Sequence, residues 1–553
     1  MSIWEESADI VFKNGIIFNP FTCEWLKEDF AVKSGIVIGT GFGYQGKKEI
    51  DLKSSYIVPG FIDAHVHIES SLLTPYEYAR LVMQHGTTTV IADPHEIANV
   101  WGIKGIEYML QAHEDQPLDI LVMLPSCVPA TPIDECAMTL NADLLRPFIG
   151  RNGVLGLGEM MNVPGVLSHD PPVIEKLTLT SIRDGHAPFL TGTRLDEYIV
   201  SGLQSDHETT ALCEGKEKLQ KSMFLLIREG STERNLQTLI PLVNACTSPR
   251  CSFCTDDRHV DMLVTSGHID DCVRKAIAEG CEPEYAYRMA TLSPAERFRL
   301  FDRGALSPGR LADFCVLDNM RDCSVRATFK KGYLVKPDQF RPDSQSLSRD
   351  WPFVAKIPTM EDIRITGSGI ARVIHIQEGQ IGTKTEYLEV SSENIPDINR
   401  DILKVVVVSR YHPGRSGVGL VQGMKLHHGA LAVSISHDSH NIIAVGTCDD
   451  DIISSIASVV QNKGAMVAHY QDKEVCLPLS LAGLMSELTF EEVHKSLSEL
   501  HELTDECGAI ENPFMYLSFL TLSVIPEIRI TTKGVFDVNR FSHVPLFVEG
   551  KKS

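Results

Sequence analysis

The stretch of sequence that decides the fold is PGFIDAHVHIESS, residues 59–71. It begins as an apolar strand and delivers two histidines, His65 and His67, that are separated by one residue. Because side chains on a strand alternate between its two faces, both imidazoles lie on the same face. Two neutral imidazole nitrogens directed at one point favour a divalent metal ion. The H-x-H pattern is weak by itself, so other parts of the chain have to supply further ligands.

A helix and a second strand follow this stretch directly. Thr74 stands at the N-cap position, Pro75 at the first helical position and Glu77 at the third, and Gly86 ends the helix. The β-branched run at 87–92 then predicts a buried strand. Strand, helix and strand in this order form the repeating unit of a parallel α/β sheet.

The same unit repeats along the middle of the chain. Further apolar runs end near Leu124, Gly158, Arg183, Gln204, Ile227 and Phe253, separated mostly by helix-like stretches. With the first two strands they make eight β-to-α units in about 240 residues, the usual size of a (β/α)8 barrel. We therefore predict an α/β fold with a TIM-like (β/α)8 barrel at 59–300.

Further regions flank this barrel. Short alternating runs with Gly and Asn at 1–58 and 301–345 predict one small composite β-domain, built from both sides of the barrel. A polar, irregular stretch at 341–362 predicts a linker. Residues 363–553 predict a C-terminal α/β domain, with capping of the active site as one role open to it. Its strand candidates are 405–408 and 442–445, and its helix candidates are 450–462 and 491–502.

The strand ends carry the chemistry, because the active site of such a barrel is built where strands end and loops begin. The ionisable residues there are His65, His67, Asp93, His95, Glu159, His186, His207, Glu229 and Asp256. Four histidines and a shared carboxylate suit a two-metal site. We expect Glu159 to bridge the metals and Asp256 to be both ligand and proton shuttle. The predicted metal ligands are His65, His67, Glu159, His186, His207 and Asp256.

Composition and charge exclude several classes of function. The 553 residues carry a formal net charge of −22, which argues against a general nucleic-acid surface. The start of the chain has no secretory pattern, and no run approaches the roughly 20 apolar residues that span a bilayer. Fourteen cysteines without a repeating framework favour a reducing compartment. We expect a cytoplasmic protein with a small-molecule substrate and with no nucleic-acid or membrane partner.

Two patterns point toward other chemistry. His67 and Glu69 match one half of the cytidine-type zinc deaminase motif, and Cys251 and Cys254 match the other. The halves lie far apart and no proline precedes Cys251, so we interpret both cysteines as small buried apolar residues. The segment SHDSHN at 436–441 is too short for a nucleophile, base and orienting group in line. It is either a loop over the barrel mouth or a structural turn.

Seven blocks of sequence resemble a known family. They are AHVHIESS at 64–71, ADPHEIANV at 92–100, GLGEMMN at 156–162, DGHAP at 184–188, SDHE at 205–208, CTDDRH at 254–259 and SHDSHN at 436–441. The first block, after PGFID, is similar to the opening of the amidohydrolase superfamily. Taken together and in this order, the blocks resemble the bacterial and archaeal adenine deaminases over nearly the whole chain.

The resemblance implies a reaction and a cofactor. The reaction is the hydrolytic deamination of adenine to hypoxanthine and ammonia by a metal-bound hydroxide, at a binuclear centre of manganese or iron. Asp256 would take the hydroxide proton, and Glu159 or Glu229 would protonate the purine ring. Many relatives have a carboxylated lysine in place of Glu159. We also expect a homo-oligomer, a dimer.

The remaining site residues have less specific roles. Substrate contacts are expected from Glu229, His437 and Asp438. For Asp93 and His95 two alternatives are open. They contact the substrate or transfer a proton, or they only form the turn after the strand.

Two interpretations from other classes remain open. A cyclic amide hydrolase of the same superfamily, such as a dihydroorotase or hydantoinase, is disfavoured by the block around Glu159 and by the C-terminal region. A non-catalytic binding protein on the same fold predicts a lost ligand, and all six ligands are present.

Overall fold

A computed structural model describes residues 7–336, 339–340, 349–378 and 382–548. The strands in these ranges are β1 (Ala8–Asn19), β2 (Glu24–Lys33), β3 (Ile36–Thr40), β4 (Gly46–Asp51), β5 (Tyr56–Pro59), β6 (Phe61–Val66), β7 (Thr87–Ala92), β8 (Asp119–Leu124), β9 (Val154–Met160), β10 (Arg183–Gly185), β11 (Ser205–Asp206), β12 (Phe224–Arg228), β13 (Cys251–Cys254), β14 (Phe314–Leu317), β15 (Val325–Lys330), β16 (Tyr333–Leu334), β17 (Ser368–Ile376), β18 (Thr383–Ser391), β19 (Ile402–Val408), β20 (Ser416–Gln422), β21 (Ala430–Val433), β22 (Ile442–Gly446), β23 (Ala465–Tyr470), β24 (Lys473–Pro478), β25 (Ile528–Thr531), β26 (Gly534–Asp537) and β27 (Ser542–His543).

The α-helices lie between the strands of the middle region and again in the C-terminal region. They are α1 (Pro75–Val82), α2 (His95–Trp101), α3 (Ile103–Asp115), α4 (Ala142–Leu145), α5 (Val163–Leu167), α6 (Pro171–Leu177), α7 (Gly192–Val200), α8 (Leu212–Gln220), α9 (Leu236–Leu239), α10 (Val260–Thr265), α11 (Ile269–Ala278), α12 (Pro283–Met289), α13 (Leu292–Arg297), α14 (Asp449–Gln461), α15 (Phe490–Glu506) and α16 (Pro513–Phe519). Across the described part of the chain, no helix has the length and apolarity that crossing a bilayer requires.

The predicted start of the first helix is confirmed. The Thr74 hydroxyl accepts a hydrogen bond from the Glu77 N–H, and Pro75 is the first residue of α1. A short 3-10 turn extends the helix to Gly86, which has a φ of 87°. A left-handed residue at this position ends a helix, and glycine adopts that conformation without strain.

Parallel strands of the middle region form a curled sheet. Five pair in the order β10-β9-β8-β7-β6 and three in the order β11-β12-β13. The Asp256 N–H, just beyond β13, donates to the His65 carbonyl at 3.0 Å, and the His67 N–H donates to the Asp256 carbonyl at 3.1 Å. These bonds join the last strand to the first. The α/β class and the TIM-like character of this region are confirmed.

Apolar side chains fill the inside of the curled sheet. Ala64, Ile91, Leu226 and Cys254 belong to one buried cluster. Cys251 packs in a different apolar cluster, and both cysteines are free and fully buried. Burial raises the pKa of the Cys251 thiol to about 12. Their interpretation as small buried apolar residues is therefore confirmed.

A second sheet combines strands from both sides of the middle region. Its order is β16-β15-β14-β5-β1-β2-β3, with β4 beside β1. β14 pairs antiparallel with β5, so that Phe314 lies opposite Pro59. Residues 1–6 and 341–345, which fall within the predicted β-domain, lie outside the described residues. The described part of the predicted linker, 349–362, contains no helix or strand.

The C-terminal region is a second α/β unit. Its main sheet has the order β18-β17-β20-β19-β22-β21-β23-β24. All four predicted segments are confirmed: 405–408 lies in β19, 442–445 in β22, 450–462 overlaps α14, and 491–502 lies in α15. The continuous apolar run of β19 fits a strand that is buried on both faces. A capping box between Thr489 and Glu492 begins α15.

Candidate active site

The structure brings six predicted ligand side chains into one buried cluster at the strand ends, which we call the ligand cluster. Its shortest contacts between an imidazole and a carboxylate are His186 Nδ1 to Glu159 Oε2 at 2.6 Å, His207 Nε2 to Glu159 Oε2 at 3.3 Å, His67 Nε2 to Glu159 Oε1 at 3.2 Å, His67 Nε2 to Asp256 Oδ1 at 3.1 Å and His65 Nε2 to Asp256 Oδ1 at 3.3 Å. Each side chain comes from the end of a different strand, except that His65 and His67 both come from the end of β6.

Glu159 lies at the centre of the ligand cluster. Its Oε1 faces His67 and His65, and its Oε2 faces His186 and His207. Burial alone would raise the pKa of the Glu159 carboxyl, but the hydrogen bond and charge of His186, with help from the other histidines, hold this pKa well below its usual range. A carboxylate with one histidine pair on each oxygen has the arrangement that a bridging ligand needs.

Asp93 supports the cluster from behind. Its Oδ2 accepts the Glu159 N–H at 2.8 Å, and a Cβ on Gly158 would lie 2.1 Å from that oxygen. Only glycine at 158 therefore leaves room for this contact. The Asp93 carbonyl accepts a hydrogen bond from His67 Nδ1 at 2.9 Å. His67 Nδ1 consequently carries a proton, and Nε2 of the neutral imidazole is the atom available to a metal ion.

His95, the first residue of α2, lies beside the ligand cluster. Its Nδ1 is 3.6 Å from Glu159 Oε1 and 3.7 Å from Asp93 Oδ1. Its Nε2 faces the C-terminal region, 3.9 Å from Asp438 Oδ1. His95 thus spans the space between Glu159 and the C-terminal region.

The chemistry of this donor set fits divalent metal ions. The ligand atoms of His65, His67 and Asp256 lie within 4.8 Å of one another, as do those of His65, Glu159 and His207. Imidazole and carboxylate together suit manganese, iron and zinc. Two buried carboxylates and a lone pair on His67 Nε2, all directed at one space, need positive charge at that point.

Arg228 and Glu208 are site residues that the sequence analysis missed. Arg228 is the last residue of β12, and its Nη1 donates to Asp256 Oδ2 at 2.7 Å. Its Nη2 donates to Glu208 Oε2 at 3.2 Å, and Glu208 Oε1 lies 3.5 Å from His207 Nε2. Strand alternation was the available signal, because Leu226 faces the interior and places Arg228 on the same side.

Glu229 lies elsewhere than expected. Its carboxylate accepts a hydrogen bond from Lys275 Nζ of α11 at 2.7 Å, and its carbonyl accepts from Arg258. As the residue after Arg228, it points to the opposite face of the strand, toward the surrounding helices. This placement does not support the predicted substrate contact or ring protonation by Glu229.

A loop of the C-terminal region reaches the strand ends of the middle region at this point. Glu96 of α2 accepts hydrogen bonds from His437 Nδ1, at 2.6 Å, and from His440 Nε2. The Asn99 side-chain amide donates to the Asp438 carbonyl. Burial and the neighbouring Glu96 raise the pKa of Asp438 to about 7. We call Glu96, His437 and His440 the loop cluster. It holds 436–441 beside His95.

Comparisons with known proteins agree with this geometry. Residues 56–335 match the model of the amidohydrolase family, and 380–542 match that of the adenine deaminase C-terminal domain. The fold and the ligand cluster thus define a member of the amidohydrolases.

Individual relatives narrow the family further. The chain is 58% identical to an adenine deaminase of Methanoculleus marisnigri, over 94% of this chain and 100% of that protein. It is 53% identical to an adenine deaminase of Methanoregula boonei, over 98% of this chain and 97% of that protein. It is 41% identical to adenine deaminase 2 of Carboxydothermus hydrogenoformans, over 99% of this chain and 98% of that protein. The chain is an enzyme that belongs to the adenine deaminase family. The resemblance found in the sequence is confirmed.

Proposed function

We propose that this enzyme converts adenine and water to hypoxanthine and ammonia at a centre of two divalent metal ions. The observation that carries the proposal is the position of Glu159, with a different histidine pair facing each carboxylate oxygen. Its similarity to adenine deaminases along nearly the whole chain supports adenine as the substrate.

The ligand cluster divides into two sets that share Glu159. His65, His67 and Asp256 would hold one ion, and His186 and His207 the other. Bound ions would supply Lewis acidity and make water a competent nucleophile at neutral pH. We propose manganese or iron, following the family resemblance.

Asp256 is the proposed proton acceptor. Arg228 occupies its Oδ2, whereas Oδ1 faces the histidines. In this proposal, that oxygen takes a proton from the attacking water and passes it to the amino group that leaves C6 as ammonia. Ring nitrogen N1 must gain the second proton of the water as the water oxygen adds to C6, and we propose that Glu159, ionised in the resting site, takes up this proton and passes it to N1.

Residues at the edge of the ligand cluster bind and orient the base in this proposal. Asp93 positions Glu159 through its backbone N–H. His95 relays a proton or contacts the purine. His437 and Asp438, held over the site by Glu96, contact the substrate, and a carboxyl with a pKa of about 7 can either donate or accept there.

The division of the chain into domains is part of the same proposal. We propose a closed (β/α)8 barrel at 59–300, a composite β-domain at 1–58 and 301–345, and a C-terminal domain at 363–553 that caps the site. The hydrogen bonds between β6 and Asp256 and the shared sheet of β5 and β14 support this division. We also propose a cytoplasmic homodimer, which light scattering can test. Its fourteen free cysteines suit a reducing compartment.

A substrate panel tests the activity. Manganese-loaded protein is assayed for ammonia release from adenine, adenosine, guanine and cytosine, and for ring opening of hydantoin and dihydroorotate. We expect a strong preference for adenine, because a site that pairs with each ring nitrogen rejects bases that leave its polar groups unpaired. Comparable kcat/KM on adenosine, or turnover of the cyclic amides alone, would contradict the proposal.

A further inference from the structure

A buried ion pair lies inside the curled sheet, one layer below the ligand cluster. Asp184 stands two residues before His186, and strand alternation directs both side chains to the inside of the sheet. Arg297, the last residue of α13, donates from Nη2 to Asp184 Oδ1 at 2.9 Å. Both side chains of the pair are 1% exposed. An ion pair buried this deeply contributes little net stability compared with apolar side chains, so its place beneath a metal-binding cluster calls for a functional reason.

The Asp184 carboxylate is fixed through one of its two oxygens. Oδ1 accepts hydrogen bonds from Arg297 and, at 2.5 Å, from the Ser205 hydroxyl. Arg297 Nη2 also donates to Ser205 Oγ at 3.0 Å and to the Arg183 carbonyl at 2.8 Å. The other oxygen of Asp184, Oδ2, is buried and has no hydrogen-bond partner among the described residues. A buried carboxylate oxygen without a donor costs free energy, so Oδ2 needs an N–H or O–H group nearby.

His65 presents the donor that Asp184 lacks. Its Nδ1 is also buried, and within the described ranges it too has no hydrogen-bond partner. This nitrogen lies 3.9 Å from Asp184 Oδ2, whereas Nε2 of the same ring faces the ligand cluster, 3.3 Å from Asp256 Oδ1. When Nε2 of a neutral imidazole binds a metal ion, Nδ1 carries the proton. The two unpartnered atoms need to approach by about 1 Å to form a hydrogen bond of ordinary length.

His67 shows the arrangement that such a ligand requires. Its Nδ1 donates to the Asp93 carbonyl, and its Nε2 faces the ligand cluster. Metal-binding histidines usually donate their second N–H to a carboxylate or a carbonyl, which fixes the ring and makes the binding nitrogen more basic. A carboxylate is the stronger acceptor of the two, because it carries a charge.

We infer that Asp184 accepts a hydrogen bond from His65 Nδ1 and is a positioning residue for the metal ion that His65 holds. Arg297 and Ser205 hold the carboxylate in place and leave Oδ2 directed at the imidazole. The carboxylate fixes the ring with Nε2 toward the ligand cluster and strengthens the bond of Nε2 to the ion. This inference deepens the proposed function and rests on it for the metal ion at His65.

The test compares Asp184→Asn with Asp119→Asn. Asp119 is likewise a mostly buried carboxylate paired with an arginine, since its Oδ2 accepts from Arg303 Nη1 at 2.6 Å. It begins β8 and so lies at the end of the sheet opposite the ligand cluster. Metal-free protein of each variant is titrated with Mn²⁺, and the electron paramagnetic resonance signal of free Mn²⁺ measures how much is bound. Thermal midpoints of the metal-free proteins are recorded in parallel.

For Asp184→Asn we expect one ion per chain to bind as in the wild type and the other about 10–100-fold more weakly. The amide replaces one carboxylate oxygen by a donor, so it cannot accept from Arg297 on one side and from His65 on the other. Asp119→Asn should lower the thermal midpoint to a similar extent and keep both ions at wild-type affinity. Wild-type affinity for both ions in folded Asp184→Asn, or the same loss of affinity in Asp119→Asn, would overturn the inference.

Ser205→Ala covers the case in which Asp184→Asn does not fold. It keeps the ion pair of Asp184 with Arg297 and removes one of the hydrogen bonds that fix Oδ1. We expect the affinity for one ion to fall about threefold or more, and unchanged affinity for both ions would overturn the inference.

Metal binding is measured without adenine, which separates the inference from the proposed function. A wild type that binds two ions without deaminating adenine contradicts the proposed function only. A wild type that binds a single ion contradicts the binuclear centre, and the inference then predicts weaker binding of that ion in Asp184→Asn.

Discussion

Two buried clusters of histidines and carboxylates lie side by side in this enzyme, and they are assembled in different ways. The ligand cluster takes its side chains from the ends of parallel strands, whose hydrogen-bonded register brings those ends together. The loop cluster joins Glu96 to His437 and His440, which are 341 and 344 residues away in sequence. The first cluster therefore depends on one sheet, and the second depends on the docking of a separate region.

We expect this difference in assembly to match a difference in role, with chemistry in the ligand cluster and substrate positioning in the loop cluster. We expect changes in the ligand cluster to remove turnover or metal. Changes in the loop cluster should leave metal in place and weaken the hold on the substrate.

Asp256→Asn should have the largest effect. The amide keeps the shape of the side chain and can still coordinate weakly through oxygen, but it cannot act as a base. Loss of such a proton shuttle costs about 10²–10⁴ in rate, with metal retained at least in part. Steady-state kinetics and metal analysis on the same preparation measure both effects.

Asp257→Asn is the matched control, because its amide oxygen can still accept the hydrogen bond from Ser70. It should be milder than Asp256→Asn. Abolished turnover in Asp257→Asn beside near-normal turnover in Asp256→Asn would mean that the roles of the two residues have been exchanged.

Lys218→Met should destabilise the strand ends that carry two of the ligands. Lys218 is fully buried, and its Nζ donates to Asp206, to Glu214 and to the Ala187 carbonyl. Its loss leaves two buried carboxylates without their cation close to the strand ends that carry His186 and His207, and removal of one partner from a buried ion pair typically costs about 3–5 kcal/mol. Urea unfolding followed by circular dichroism, together with metal retention, measures this effect.

Lys221→Met controls for the loss of a lysine in the same part of the chain. Lys221 pairs with Asp196 and Glu217 near the surface, where water screens the charges. Its unfolding midpoint should stay near that of the wild type. Equal destabilisation by the two variants would show that burial of the Lys218 charge is not what stabilises these strand ends.

The contrast between the clusters also explains what the sequence could predict. Apolar runs that end at histidines and acids made the ligand cluster visible, because parallel strands bring their ends together. The confirmed N-cap at Thr74 and the confirmed strand at 442–445 were likewise predictable, because neighbouring residues in the sequence determine them. Glu229 was assigned to the site although strand alternation from Leu226 selects Arg228 instead.

The loop cluster could not be found from local patterns. His437 and Asp438 entered the prediction through family resemblance, and Glu96 and His440 were given no role. Glu96 lies on α2, one residue after His95, and its partners become neighbours only when the C-terminal region docks.

Glu96→Gln should have a smaller effect than Asp256→Asn and Lys218→Met. A neutral amide removes the charge-assisted hydrogen bonds to His437 and His440, so segment 436–441 is held less firmly. We expect KM for adenine to rise about tenfold, with kcat, metal content and the thermal midpoint close to wild type. A fall in kcat with metal loss would place Glu96 in the ligand cluster instead.

Glu491→Gln is the control for this variant. Glu491 also joins the two regions, through an ion pair with Arg80, but it lies on the surface and away from the site. Exposed pairs contribute little, so its kinetic constants should match those of the wild type. A similar rise in KM would mean that any loosened contact between the two regions has the same effect.

Metal titration of the apoprotein tests whether the ligand cluster holds two ions. Chelated protein is titrated with Mn²⁺ while bound metal and adenine deamination are followed in parallel. Four histidines around Glu159 and Asp256 predict that activity reaches its maximum at two ions per chain. Full activity at one bound ion per chain would contradict a binuclear centre.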